Sequence, residues 1–402
     1  MSANSNKSIS KSGPSRHVPL LDLKLQYQSF KAELLPVIER VCDSQRFILG
    51  EETTALECAV ARYCSTEFGI GVSSGTDALL LALMGLEIGP GDEVITSTYS
   101  FFATGGTIAR AGARPVFLDI DPATFNLAVA AVERFVDEQC IVKSGNLVNR
   151  ATGGRIKAIM PVHLYGQCAD VVPLIELARR CDLRVIEDAA QAIGAESPGG
   201  ARAGSQGDVG CFSFFPSKNL GAFGDAGLCT VRDAPLAERL RVLRVHGGKP
   251  KYFHAMIGGN FRIDELQSAI LNVKLRHLDG WTSGRQRNAA IYNELFTSAR
   301  LEGSITQPHA APGSRHIYNQ YVIRARDRDG LMRHLQAHGV GCEIYYPVPL
   351  HLQPCFSYLG GRVGDCPEAE RAAAQTLALP IYAELERAQL EYVVDVIRAF
   401  YG

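Results

Sequence analysis

From Gly69 onward, short apolar runs alternate with longer segments whose apolar residues recur every three or four positions. Gly69–Val72, Glu93–Thr96, Arg114–Leu118, Ala158–Val162 and Arg184–Ile186 read as strands, and helical patterns separate most of them. This alternation predicts an α/β fold with a mostly parallel sheet covered by helices on both faces. Strands at Cys211–Phe214 and Gly227–Val231 follow each other with no helix between, which predicts a turn or hairpin addition to that sheet. Upstream, VPLLDLKLQY leads into a helical pattern at Glu33–Cys42, with Leu34, Val37, Ile38 and Val41 on one face. Downstream, a helical stretch from Asp264 to about Thr297 carries Leu266, Ile270, Leu271, Val273 and Leu275 as an apolar stripe and reads as the connector to a second lobe. Ile317–Arg324, a helix near Gly330–His338, a strand near Cys342–Tyr346 and a final helix at Leu385–Phe400 make that lobe a small α+β domain. The predicted organisation is a tail at 1–17, a packing segment at 18–47, a large domain at 48–275 and a small C-terminal domain at 276–402. No internal repeat interrupts it.

Composition narrows the picture. The 402 residues are 46% apolar and 21% charged, enough for two lobes around a sizeable core. A formal charge of −1 supplies no basic field for nucleic acid, so a small-molecule partner is the default. Eleven cysteines, odd in number and never spaced as CxxC, fit reduced thiols in a cytoplasmic protein and give no zinc pattern. Residues 1–17 are rich in Ser, Asn and Lys, lack the apolar centre of a secretory signal, and read as disordered. The longest apolar run, around Leu79–Leu86, is too short to span a bilayer.

Candidate chemistry concentrates in four runs. In CFSFFPSKNLGAFGDAG (211–227) Lys218 lies in a tight loop between strands, and VIEDAAQA (185–192) ends an upstream strand on Glu187 and Asp188. A lysine amine and a buried carboxylate in that relation suggest pyridoxal phosphate, with Lys218 as a Schiff-base former and Asp188 paired to the pyridinium nitrogen. The bland readings are a snorkelling Lys218 and an Asp188 helix cap. VSSGTDALLLAL (72–83) puts Gly75 and Thr76 between a strand and an apolar helix, where free N–H groups bind phosphate; Thr76 as a plain helix cap is the alternative. Gln191 falls on the same face as Asp188 if a helix starts there, and either contacts the cofactor's phenolic oxygen or is a solvated surface residue. Ser213 lies within reach of the same phosphate. Phe101, in TSTYSFFATG (96–105), either stacks on a ring or packs in the core.

These motifs together resemble the DegT/DnrJ/StrS family of sugar aminotransferases, from about Val18 to the C-terminus. GPGDEVI (89–95), PVFLDID (115–121), PVHLYGQCAD (161–170), GGNFRIDELQSAIL (258–271) and YYPVPLHLQP (345–354) belong to the match. The resemblance implies a pyridoxal-phosphate-dependent transferase of fold type I acting on a keto sugar linked to a nucleotide, dTDP or UDP, with an amino acid, usually glutamate, as donor. It implies that Lys218 binds the cofactor covalently, Asp188 pairs with the pyridinium, Gln191 contacts the ring oxygen, Thr76 and Ser213 hold phosphate, and Phe101 stacks on the ring. Asn260 matches an asparagine that reaches the neighbouring subunit's phosphate, which implies a homodimer with shared active sites. Tyr318, Tyr345 and Tyr346 are candidates for base and sugar, with core packing as the alternative.

The match has departures. Tyr345 stands where relatives often carry histidine, Ala226 replaces a glycine of the common GDGG, and Ile193 replaces a His or Ser. NLGAFGDAG resembles the 3-keto-sugar members, so amination at C3 is expected and C4 is the alternative. A sugar-dehydrating subgroup has histidine in place of Lys218, which excludes this chain from its pattern. A pyridoxal-phosphate-binding regulator without turnover is the alternative of another class, although no helix-turn-helix or basic stripe supports DNA binding.

Overall fold

The computed structural model describes residues 17–402; apart from His17, the predicted tail lies outside the described residues. The larger sheet contains β1 (Phe68–Val72), β2 (Asp92–Ser97), β3 (Arg114–Leu118), β4 (Cys140–Lys143), β5 (Asn146–Asn149), β6 (Arg155–Met160), β7 (Arg184–Asp188), β8 (Val209–Ser213) and β9 (Gly227–Val231). Its order is β1-β9-β8-β7-β6-β2-β3, with the β4–β5 hairpin paired beside β6. The neighbours from β8 to β3 run parallel, while β9 lies antiparallel to both β8 and β1. The mostly parallel sheet is therefore as expected. The β4–β5 hairpin, which pairs Cys140 with Asn149 through Lys143 with Asn146, is an addition that sequence reading did not single out; Cys140 and Leu147 anchor it in the core, while Ile141 and Val142 are exposed.

Helices α1 (Leu23–Ser44), α2 (Glu51–Tyr63), α3 (Gly75–Gly85), α4 (Ala103–Arg110), α5 (Val129–Gln139), α6 (Val171–Arg180) and α7 (Ala234–Leu243) precede or interleave these strands. Leu79, Leu81 and Leu83 of α3 pack with Ile108 of α4 and Leu240 of α7 on one face of the sheet. Val132 and Phe135 of α5 pack with Leu174 and Leu177 of α6 on the other. Each fully buried side chain of this kind stabilises the fold by about 1.5–3 kcal/mol. Because α3 is buried nearly all round, it reads as uniformly apolar rather than striped.

The single helix expected from Asp264 to Thr297 is two: α8 (Glu265–Leu275) and α9 (Leu278–Ser298). The second lobe holds β10 (Ile305–Thr306), β11 (Tyr321–Ala325), α10 (Arg328–Ala337), α11 (Pro367–Gln375), β12 (Thr376–Leu379) and α12 (Arg387–Tyr401). Its sheet has the order β10-β11-β12. The strand expected at Cys342–Tyr346 is absent; only Glu343 makes a bridge, to Ala378. Tyr99 Oη donates to the Tyr345 carbonyl at 2.8 Å and accepts from the Tyr346 N–H at 3.0 Å, so side chains take the place of a neighbouring strand. The N-terminal segment reaches this lobe as well: Val18 pairs with Val340, and Ile381 N–H donates to the Leu20 carbonyl.

Candidate active site

Parallel strands deliver their carboxyl ends to one edge, and in open α/β sheets that edge is where ligands bind. Here β1 ends beside Ser74 and Gly75, β7 ends on Asp188 and β8 ends on Ser213. Gly75, Thr76, Asp188, Ser213 and Lys218 lie at these strand ends or in the loop and helix that follow them.

Helix α3 begins immediately after β1. Ser74 is its N-cap, accepting from Asp77 N–H at 3.0 Å, so the capping role is not Thr76's. The half-buried Thr76 hydroxyl has no hydrogen bond among the described residues. A Cβ on Gly75 would lie 2.5 Å from the Ser213 Cβ, and one on Gly227 would lie 2.4 Å from the Ser74 carbonyl oxygen. Glycine at both positions lets β8 and β9 close on the helix start, bringing Ser213 to the free N–H groups of α3. Ser213 Oγ accepts only a long bond from Phe215 N–H, at 3.4 Å, leaving its proton free for an anion.

Glu187 and Asp188 are both buried, and their partners distinguish them. Glu187 accepts from His163 Nε2 at 2.8 Å and from the N–H groups of Gly204, Gln206 and Gly207. Burial works to raise its pKa, but these donors hold it below the usual carboxylate range. Asp188 accepts from Thr104 Oγ1 at 2.7 Å and from Ala190 N–H at 3.2 Å. Burial outweighs those two bonds and the Lys218 charge, so the Asp188 pKa is raised. Asp188 is thus the carboxylate that a cation would relieve.

Lys218 sits in the loop joining β8 to β9. Ala222 N–H donates to the Phe214 carbonyl at 2.7 Å and Lys218 N–H to the Phe215 carbonyl at 2.9 Å, closing the loop on itself. The side chain is still partly exposed, yet desolvation brings its pKa down to about 8, with the Asp188 charge acting against that shift. The amine makes no hydrogen bond or ion pair among the described residues.

No helix follows Asp188, so Gln191 is not carried there on a helical face. A series of turns places it, buried, with Oε1 accepting from Tyr165 N–H at 2.8 Å and Nε2 donating to Tyr346 Oη at 2.9 Å. Phe101 is 56% exposed and lies 6.0 Å from the Tyr346 ring, whereas Phe102 stacks on Phe356 at 5.6 Å. Phe102, itself 47% exposed, thus spends one ring face on Phe356, and Phe101 keeps a free face. Tyr345 and Tyr346 are partly buried beside Tyr99 and Tyr165. Tyr318 is in the small-domain core, stacked on His316 at 4.0 Å. Asn260 is exposed, at a bridge to Val245, and no contact joins it to the others within the chain.

Sequence reasoning missed Thr104, Ser100, Tyr99 and Tyr165. Ser100 Oγ lies 2.7 Å from Thr104 Oγ1, backing the hydroxyl that meets Asp188. Tyr99 and Ser100 lie in the hydroxyl-rich TSTYS run before Phe101, and Thr104 lies just after it, where the aromatics drew attention instead.

An unpartnered lysine, a buried carboxylate seeking a cation, and an open helix N-terminus with free hydroxyls on one α/β edge define a pyridoxal-phosphate-dependent enzyme. The chain belongs to the DegT/DnrJ/EryC1/StrS aminotransferase family, whose pattern it matches over residues 28–398. It is 48% identical to the pleiotropic regulatory protein of Geobacillus stearothermophilus, over 96% of this chain and 99% of that one. It is 42% identical to the UDP-N-acetyl-3-dehydro-alpha-D-glucosamine 3-aminotransferase of Acidithiobacillus ferrooxidans, over 95% and 97% of the two chains. The crystal structure of Streptomyces venezuelae DesV in complex with a ketimine intermediate superimposes with a TM-score of 0.88 at 41% identity, covering 96% of this chain and 98% of that one. No helix among the described residues is long and apolar enough to cross a membrane.

Proposed function

We propose that this enzyme transfers the amino group of an amino acid, L-glutamate, to C3 of a keto sugar carried on UDP or dTDP, in two ping-pong half-reactions. The observation that carries the reading is the free Lys218 amine, its pKa brought down to about 8, facing the electrostatic influence of the buried Asp188 carboxylate. Bound pyridoxal phosphate supplies an aldehyde for amine exchange and a ring that withdraws electrons from the reacting carbon.

Lys218 is the residue that holds the cofactor covalently, because a desolvated amine reaches its neutral, nucleophilic form more readily. Once free, its Nζ would carry a proton between the substrate carbon and the cofactor's C4′, in one direction in the first half-reaction and the other in the second, a positioned transfer worth roughly 10²–10⁴-fold. Asp188 holds the ring-nitrogen proton, and Thr104 fixes the carboxylate. Gly75, Thr76 and Ser213 receive the phosphate, Phe101 covers the ring, and Gln191 serves its oxygen. Tyr345 and Tyr346 line the entry for the sugar nucleotide. We assign Asn260 to the phosphate site of a second copy, making the working unit a homodimer. Its exposure supports this, as does the neighbouring apolar surface of Tyr252, Phe253 and Ile257, which are 79%, 70% and 91% exposed. Eleven unpaired cysteines support a reducing, cytoplasmic setting.

Regiochemistry at C3 is supported by NLGAFGDAG and by the name of the Acidithiobacillus relative. The name of the Geobacillus relative favours a second reading, a regulatory protein without turnover. Purified enzyme is to be incubated with glutamate and a panel of 3-keto and 4-keto sugars on UDP and dTDP. Amination of a 3-keto member is expected; amination of 4-keto members alone moves the reaction to C4, and amination of none favours the regulator.

A further inference from the structure

Lys274 lies near the end of α8, seven residues and so two turns after Gln267. It is 2% exposed, and its Nζ donates to the carbonyl of Gly221, in the arm of the Lys218 loop. No carboxylate among the described residues pairs with it. Instead its ammonium lies 5.6 Å from the ring centre of Phe30 on α1, 5.6 Å from that of Phe223 in the same arm, and 5.8 Å from that of Trp281 on α9. Burial alone lowers its pKa, to about 8.

A buried ammonium without a counter-charge is a costly way to fill space, since an apolar chain of the same length fills it without desolvating a charge. What the charge reaches is the backbone of one loop. Gly221 is where that loop doubles back: a Cβ there would lie 2.3 Å from the Pro216 carbonyl oxygen. Gln267 grips the same arm, its Oε1 accepting from Phe223 N–H at 2.8 Å and its Nε2 donating to the Phe223 carbonyl at 3.2 Å. On the other side, Asn219 Nδ2 donates to the Ile317 carbonyl at 3.1 Å.

We propose that Lys274 is a positioning residue for Lys218: its ammonium, boxed by Phe30, Phe223 and Trp281, holds the Gly221 carbonyl and fixes the loop that carries the reactive amine. This rests on the assignment of Lys218 as the cofactor-binding lysine. The energy available is that of a charge-assisted hydrogen bond strengthened by aromatic faces.

The test compares Lys274→Met and Lys274→Arg holoenzymes with the parent, reading kcat, KM, thermal midpoint and the pH titration of the cofactor's visible band. For Lys274→Met, kcat falls about tenfold, KM for both substrates stays close to the parent's, and the band's titration midpoint moves. Lys274→Arg keeps a cationic donor and recovers most of the lost rate. A Lys274→Met enzyme with parental kcat and an unmoved midpoint overturns the proposal. So does an equal loss in Met and Arg variants that merely follows a common drop in thermal midpoint. Should Lys274→Met not fold, Phe223→Leu removes one exposed wall of the box: a shifted band midpoint supports the clamp, and an unshifted one overturns it. Borohydride reduction followed by peptide mapping stands apart from these outcomes. Label on a lysine other than Lys218 refutes the functional assignment itself and the clamp with it, whereas label on Lys218 with a silent Lys274→Met refutes only the clamp.

Discussion

Thr104 is eighty-four residues from Asp188 in sequence and 2.7 Å from it in space. Its hydroxyl opposes the burial that raises the Asp188 pKa, so it helps keep the carboxylate ionised against a ring proton. Thr104→Val preserves the shape and deletes the donor. We expect kcat to fall about tenfold, from the loss of one hydrogen bond to a buried charge. The Asp188 pKa rises further without the donor, and a carboxylate that ionises only at higher pH moves the acidic limb of the kcat profile upward; a steady-state pH profile checks both. Lys218 and Asp188 were legible in the sequence because their chemistry is local: a lysine among glycines and aromatics, an aspartate ending an apolar strand. Thr104 was not, because a hydroxyl announces nothing until the fold brings it to a carboxylate. Gln191 was named for a helical face that does not exist, and turns deliver it instead.

Strand alternation exposed the parallel sheet because strands buried on both faces read as short apolar runs. The same rule over-reached at Cys342–Tyr346, where the hydroxyls of Tyr99 and Tyr165 satisfy the Tyr345 carbonyl that a strand neighbour would have taken. It also merged α8 with α9, since an apolar stripe does not register a break of two residues. Helix α8 has duties at both ends. At its start, the buried Glu265 accepts from the N–H groups of Gly50, Glu52 and Thr53, at 2.8, 2.6 and 3.2 Å, satisfying the orphan donors at the head of α2. Glu265→Ala strips those donors of their acceptor, and we expect a stability loss of about 1–3 kcal/mol, read by urea unfolding. A variant as stable as the parent would show that water replaces the carboxylate without cost.

Two sheets, one of nine strands and one of three, hold the strands of the described residues, and the candidate site sits on the rim of the larger. The apolar loop of Tyr252, Phe253 and Ile257 faces solvent in the single chain, an arrangement that a second copy would relieve. Phe253→Asp combined with Ile257→Asp should shift the molecule toward a monomer by light scattering and abolish turnover with it. A fully active monomer would remove Asn260 from the site. This scale was the least legible in the sequence, because composition sees only an average surface and one chain cannot show what its neighbour supplies.

The pairing of Val18 with Val340 sets an order on synthesis. The core of the smaller lobe takes Val18 from near the beginning of the polypeptide and Val393 and Ile397 from near its end. On the ribosome, β1 to β9 are all available long before α12 emerges, so the larger sheet can condense while the smaller core still lacks one wall. Val18 must then wait, unsatisfied, for α12, which emerges only after every strand of the larger sheet.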